Sequence, residues 1–203
     1  MSVTGARKGV RFDRAYYQRY YFDPRTAVAS RSETRARARF IAAFAVHAGL
    51  PVRRSRILEA GCGTGVLRAE LLRLLPHVHY VALESSDYLC QRYGWRKGRI
   101  EEYRSRTPFD LVICYDVLQY LSASAAQRAL ANFGRLCRGA LYFTALTRHD
   151  YQHNCDQART DVAVHLRTAE WYRRRLRSQF SEAGLGFWVR RGAPLTLWEL
   201  ESR

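Results

Sequence analysis

No run of apolar residues in this chain approaches the ~20 that a membrane-crossing helix needs. The opening stretch MSVTGARKGVRF has no apolar segment of the kind that marks a secretory signal. Both absences give the expectation of a soluble, cytoplasmic protein with no membrane partner. No two cysteines are spaced Cys-x-x-Cys, and the five present, Cys62, Cys90, Cys114, Cys137 and Cys155, are widely scattered. That spacing argues against a zinc knuckle or an iron–sulfur site and fits reduced thiols packed as small hydrophobes. Lysine is nearly missing: of 34 Lys and Arg residues, only Lys8 and Lys97 are lysine. The formal charge of +16 raises nucleic acid as a partner. The arginines are spread along the chain rather than gathered in a tail, and a GC-rich coding sequence gives the same bias. Nucleic acid is therefore the less favoured partner.

What is present fits one ordinary domain. The chain has 203 residues, and 47% are hydrophobic, enough for a sizeable core and too many for a disordered segment. The stretch SETRARARFIAAFAVHA predicts a helix from Ser32, as N-cap, to Ala48, stopped by Gly49 and Pro51. Strands are expected at Arg56–Ala60, Val78–Glu84, Gly98–Tyr103, Phe109–Cys114 and Ala140–Ala145. Helices are expected between them at Val66–Leu75, Ser86–Tyr93 and Ala123–Cys137. An amphipathic helix over Thr168–Ala183 follows, and then two strands, Gly186–Arg190 and Leu195–Glu201, joined by Gly-Ala-Pro as a hairpin. Strands alternating with helices predict an α/β fold. The expectation is a doubly wound, seven-stranded, mostly parallel sheet ending in an antiparallel hairpin. Residues 1–30 read as an N-terminal extension or lid and 31–203 as the main domain.

Residues 57 to 65 read ILEAGCGTG. Gly61, Gly63 and Gly65 follow a buried strand at every second position, where glycine reaches backbone angles closed to other residues and leaves a ligand access to the main chain. A helix begins at once, so its free N–H groups face the same space. Glu84 closes the next strand, at the spacing of a carboxylate that binds the two hydroxyls of a ribose. Turn, strand, helix and acid together predict a nucleoside-bearing cofactor at the carboxyl ends of the strands. A dinucleotide turn reads Gly-x-Gly-x-x-Gly, and here the third glycine comes one residue sooner.

The run Glu59-Ala60-Gly61-Cys62-Gly63-Thr64-Gly65 resembles the first motif of the class I S-adenosylmethionine-dependent methyltransferases, an acid, any residue, then Gly-x-Gly-x-Gly. The likeness continues through VALESSDYL, FDLVICYDVLQYL and HLRTAEWYRRRL, over about residues 40 to 201. It implies the Rossmann-like methyltransferase fold and S-adenosyl-L-methionine as cofactor. By resemblance, Ala60, Gly61, Cys62, Gly63 and Gly65 form the turn against the cofactor. Glu59 meets its amino group, and Glu84, with Ser85 beside it, binds the ribose. Either the backbone of Ile100 alone reads the adenine, or Glu101 adds a carboxylate to its amino group. Cys114 and Tyr115 line the methionine end, and Asp116 points to the substrate mouth. The chain has Gln119 and Tyr120 where many small-molecule members carry histidine. It lacks the Asn-Pro-Pro-Tyr or Asp-Pro-Pro-Tyr run that grips the amino group of a flipped base.

The stretch FDRAYYQRYYF carries Tyr16, Tyr17, Tyr20 and Tyr21, paired on helical faces as 17 with 21 and 16 with 20. Two readings stand side by side: a lid over an aromatic substrate pocket, or a helix packed on the sheet through its rings. The polar loop after the fifth strand holds His149, Asp150, His153, Cys155, Asp156, Asp161 and His165, without a recognisable metal spacing, so no metal is expected. Arg167, Trp171 and Tyr172 are further candidates for gripping a substrate. His149, Asp116 and Tyr20 are the catalytic candidates. The sequence thus reads as an S-adenosylmethionine-dependent methyltransferase acting on oxygen or nitrogen of a small molecule. The alternatives are an RNA methyltransferase and a non-catalytic cofactor-binding partner protein.

Overall fold

Six consecutive buried residues, Phe109 to Cys114, make a strand that has no wet face. Such a strand belongs in the middle of a parallel sheet covered on both sides. The computed structural model describes residues 12–51 and 53–201. The start of the expected 1–30 extension (residues 1–11, with Lys8) lies outside the described residues, as do 52 and 202–203.

In chain order the elements are α1 (Arg14–Tyr17), a π-helical turn (Gln18–Phe22), α2 (Arg31–His47), β1 (Arg56–Ala60), α3 (Val66–Leu74), β2 (His79–Glu84), α4 (Asp87–Tyr93) and β3 (Arg96–Lys97). They continue with β4 (Phe109–Tyr115), a 3-10 turn (Leu118–Tyr120), α5 (Ala123–Leu136), β5 (Cys137–Thr144), α6 (Arg148–His153), α7 (Ala169–Leu176), β6 (Phe180–Gly184) and β7 (Phe187–Arg190). One seven-stranded sheet runs β3-β2-β1-β4-β5-β7-β6. Strands β3, β2, β1, β4 and β5 are parallel neighbours, and β7 is antiparallel to both β5 and β6. This is the doubly wound, mostly parallel sheet that the sequence predicts. No described helix is long and apolar enough to cross a membrane.

Alternate residues on each central strand feed two cores. Ile57, Leu111, Ile113, Ala140 and Tyr142 face α2 and α3, meeting Ile41, Leu67 and Leu71. Leu58, Val112, Leu141 and Phe143 face α5 and α7, meeting Leu130, Phe133 and Leu176. Burying each large side chain of this kind contributes about 1.5–3 kcal/mol. Strand order reverses between β1 and β4, so the loops after β1, β2 and β4 open into one crevice.

Four local expectations are corrected. Helix α2 is capped by Ser30, not Ser32. The Ser30 hydroxyl accepts from the Glu33 amide, and the Glu33 carboxylate accepts from the Ser30 amide, because only Ser30 has an acid three residues on. The third strand is Arg96–Lys97, paired with Leu83 and Glu84. The segment Gly98–Tyr103 is instead a turn, held by the Asn132 side chain donating to the carbonyls of Ile100 and Tyr103 at 2.7 and 2.9 Å. The helix expected over Thr168–Ala183 ends at Leu176, and its second half is β6. Leu176, Phe180 and Ala183 mimic a helical stripe, but Gly184, Leu185 and Gly186 all sit at positive φ and fold the chain into the hairpin there. The Gly-Ala-Pro turn therefore joins no second strand. Residues 195–201 run on to a 3-10 turn at Glu199–Glu201, where Glu201 meets His47 at 2.8 Å.

Candidate active site

Three glycines in five positions serve two different ends. All take positive φ: +70° at Gly61, +52° at Gly63 and +75° at Gly65. A Cβ on Gly61 would stand 2.4 Å from the Val117 side chain, and one on Gly65 would stand 2.6 Å from the Trp95 ring. Those two glycines let the turn pack. A Cβ on Gly63 would meet nothing within 4 Å, so Gly63 alone leaves open space. Its carbonyl accepts from the Trp95 indole at 2.9 Å. Trp95 carries no motif, and nothing in the sequence points to it.

Glu84, at the end of β2, reaches back to this turn. Its Oε2 accepts from the Gly63 amide at 2.9 Å, and its Oε1 accepts from the amides of Ser85 and Ser86 at 2.8 and 3.0 Å. A carboxylate has about four acceptor sites, so Oε2 keeps one more. Turn and acid face each other.

Three adjoining cavities run past them. An inner cavity of about 250 Å³ has Glu59, Ala60, Cys62, Tyr115, Asp116 and Tyr120 among its walls. A neck of about 90 Å³ runs between Gly63 and Glu84 on one side and Tyr16, Tyr17 and Tyr21 on the other. An outer cavity of about 470 Å³ is lined by Ser85, Ile100, Glu101, Val117 and Leu121. Gly61 and Tyr120 border all three. In the outer cavity Glu101 is 4% exposed. One of its carboxylate oxygens meets Arg99 at 2.9 Å, and the other, Oε2, is buried with no hydrogen-bond partner.

Asp116, one residue past β4, holds a left-handed backbone at φ +54°. Its amide donates to the Thr144 carbonyl, and its Oδ1 accepts from the Thr144 hydroxyl, both at 3.1 Å. Burial pushes its carboxyl above the usual range, with the Thr144 bond and Arg37 pulling the other way. Glu59 is buried deeper. Burial raises its carboxyl from 4.5 to about 8 against the opposing hydrogen bond from Tyr80, whose hydroxyl donates to Oε2 at 2.8 Å.

The N-terminal tyrosines cover the neck. The Tyr16 hydroxyl donates to that of Tyr120 at 3.0 Å, and the Ser86 hydroxyl donates to the Phe12 carbonyl at 2.5 Å. The π turn changes the helical pairing: Tyr16 meets Tyr21 at 6.2 Å as well as Tyr20 at 4.9 Å. Tyr21 then lines both the neck and the inner cavity, whereas Tyr20 lies outside all three, with the Arg19 guanidinium over its ring.

Other expected residues also sit elsewhere. Cys114 is fully buried in the core on the α5 side, because on β4 the alternation turns Tyr115, not Cys114, toward the crevice. His149 is exposed on α6, its ring 4.6 Å from that of His153, outside the three cavities. Gly65 packs under Trp95 rather than bordering a cavity. Arg167 is buried and donates to the carbonyls of Leu118 and Leu121 and to the Tyr172 hydroxyl, so it clamps the turn after β4. No group of three or more metal-ligating side chains occurs among the described residues.

A positive-φ glycine turn and a strand-end carboxylate meet where the sheet reverses, the place where doubly wound folds receive their ligands. Residues 58–139 match the family described as a methyltransferase domain. No curated protein matches the chain by sequence. Among solved structures, the chain is similar to DesVI from Streptomyces venezuelae, at 14% identity over 89% of this chain and 99% of that one, with a TM-score of 0.62. It is similar to the N-methyltransferase NodS from Bradyrhizobium japonicum WM9 in complex with S-adenosyl-L-homocysteine, at 15% identity, 87% and 96% coverage and a TM-score of 0.60. It is also similar to a SAM-bound amino pentose methyltransferase from Micromonospora echinaspora, at 18% identity, 90% and 98% coverage and a TM-score of 0.59. Residues 58–139 thus match a methyltransferase-domain family over part of the chain, and the described sheet shares the fold of these methyltransferase structures.

Two of the glycines separate packing from binding. Gly61→Ala is expected to lower stability by about 1–3 kcal/mol, from overpacking against Val117 at a left-handed backbone; an unchanged urea midpoint refutes this. Gly63→Leu is expected to keep the fold by circular dichroism and to lose adenosyl-ligand binding by calorimetry. Glu59 gives a pH signature. Its raised pKa adds stability that is complete below pH 4.5 and disappears as pH climbs through about 8. Relative to Glu59→Gln, the native chain is therefore expected to lose on the order of 5 kcal/mol across that window. Parallel stability curves for the two proteins would contradict it.

Proposed function

We propose that this protein is an S-adenosylmethionine-dependent methyltransferase that moves a methyl group to oxygen or nitrogen of a small molecule. The observation that carries this reading is the 2.9 Å contact between the Gly63 amide and the Glu84 carboxylate, at the neck joining two cavities. The residues present fit the cofactor. Ile100 and the unpartnered Glu101 oxygen suit an adenine ring and its amino group. The remaining acceptor site of Glu84 suits a ribose hydroxyl. Glu59, Ala60 and Cys62 border the space for the methionine end.

S-adenosylmethionine supplies a methyl group on a sulfonium leaving group, so the protein's part is alignment and exclusion of water. Tyr115, Asp116 and Tyr120 stand at the inner cavity, where the acceptor would be oriented. Phe12, Tyr16, Tyr17 and Tyr21 serve as the lid over the neck. An inner cavity of about 250 Å³ suits a small acceptor rather than a length of RNA.

Titration with S-adenosyl-L-homocysteine in a calorimeter tests the reading. Tight binding is expected, weakened by ~1–3 kcal/mol in Glu84→Ala, the scale of losing hydrogen bonds to a charged group. Absence of binding to the native chain removes the proposal. Methyl transfer from labelled cofactor into a small-molecule extract separates an enzyme from a cofactor-binding partner protein.

A further inference from the structure

We infer that the methyl acceptor is an amine, received in the inner cavity by the side chains of Asp161 and Gln119. The inference deepens the methyltransferase reading and rests on it. Asp161 comes from the long loop after α6, and Gln119 from the 3-10 turn after β4; both line the inner cavity. Asp161 is 5% exposed and Gln119 4%. Asp161 Oδ1 accepts from the Ala163 amide at 2.8 Å, but its Oδ2 is buried without a partner. The side-chain oxygen of Gln119, Oε1, is likewise buried without a partner.

Asp161 and Gln119 both line one cavity, and the unmatched acceptor that each carries is costly unless a ligand brings a donor. The chemistry of the missing donor follows from their number and charge. A hydroxyl has one proton to give, whereas an amine has two, and an ammonium three. Asp116 and Glu59 border the same cavity with Asp161, so three acidic side chains stand there against the single guanidinium of Arg31, a balance that favours a cationic over an anionic acceptor. The Tyr120 hydroxyl lies within the field of two of them, since burial first and then the Asp161 and Asp116 carboxylates disfavour its ionisation. Tyr21 and Tyr120 add aromatic faces, which favour cations. The guanidinium of Arg37 is already engaged, donating to the Tyr142 hydroxyl at 2.9 Å and lying 4.1 Å over the Tyr115 ring.

In the transfer, the bound ammonium first gives one proton to water; the freed lone pair then forms the new N–C bond, and the C–S bond breaks with its electron pair going to sulfur. The positive charge passes from sulfur to nitrogen, and the new ammonium loses its proton to water. Asp161 and Gln119 orient the nitrogen through its N–H groups and leave the lone pair free for the methyl carbon.

The test uses the full chain saturated with S-adenosyl-L-homocysteine. Cyclohexylamine and benzylamine are titrated beside cyclohexanol, benzyl alcohol and cyclohexanecarboxylate in a calorimeter. The amines are expected to bind about tenfold or more tightly than the matched alcohols, the scale of a charge-assisted hydrogen bond. Asp161→Asn retains an acceptor for the Ala163 amide, and Gln119→Met retains the volume. Both are expected to erase the amine preference while leaving homocysteine-ligand affinity unchanged. Mass spectrometry after incubation with S-adenosylmethionine is expected to place the added methyl on nitrogen. Equal or tighter binding of an alcohol or the carboxylate, no amine binding at millimolar concentration, or an undiminished preference in Asp161→Asn overturns the amine assignment. Failure of the native chain to bind the homocysteine ligand overturns the methyltransferase reading instead.

Discussion

The Glu84 carboxylate is the point on which this site depends. It accepts three backbone amides, one from the turn after β1 and two from the loop after β2. Hydrogen bonds to an ionised group are shorter and roughly twice as strong as neutral ones, so one side chain fixes the spacing between two strand ends. The neck lies between those ends, and the tyrosines that cover it are placed by contacts to the same loops, Phe12 to Ser86 and Tyr16 to Tyr120.

The site divides into halves of different chemistry. The outer half is shaped by backbone and one acid: Ile100 and Glu101 sit on a turn that Asn132 of α5 holds from below. The inner half is rich in ionisable and phenolic groups, and burial alters their behaviour. Glu59 and Asp116 are both harder to ionise there than in water, and both are held by a hydroxyl, from Tyr80 and Thr144. A region with such groups in a cleft is where chemistry concentrates.

The sheet and the meeting of the glycine turn with Glu84 were legible in the sequence because their determinants are local. A glycine turn after an apolar strand and an acid closing the next strand are each visible within a few residues, and β1, β2, β4 and β5 lie within a few residues of their expected places. The misreadings come from longer-range effects. Leu176, Phe180 and Ala183 carry a helical period that pairing with β7 overrides. Cys114 was expected at the cofactor and lies in the core, because the alternation along β4 decides which residue faces out. His149 has the chemistry of a base, yet α6 holds it in solvent. The pairing of Asp161 with Gln119 joins residues far apart in sequence, and only the folded chain puts them in one cavity.

The π turn at Gln18–Phe22 has a consequence for how the tyrosines over the neck can vary. One extra residue per turn is accommodated there, closed by the Asp23 amide on the Gln18 carbonyl at 2.9 Å. Each residue of an α-helix advances the azimuth by about 100°. Removing a single amino acid from this bulge would swing every ring beyond it around the axis, even if no tyrosine were changed. The aromatic roof is thus encoded by chain length as much as by residue identity, and a relative one residue shorter at this point would present a different surface to its substrate.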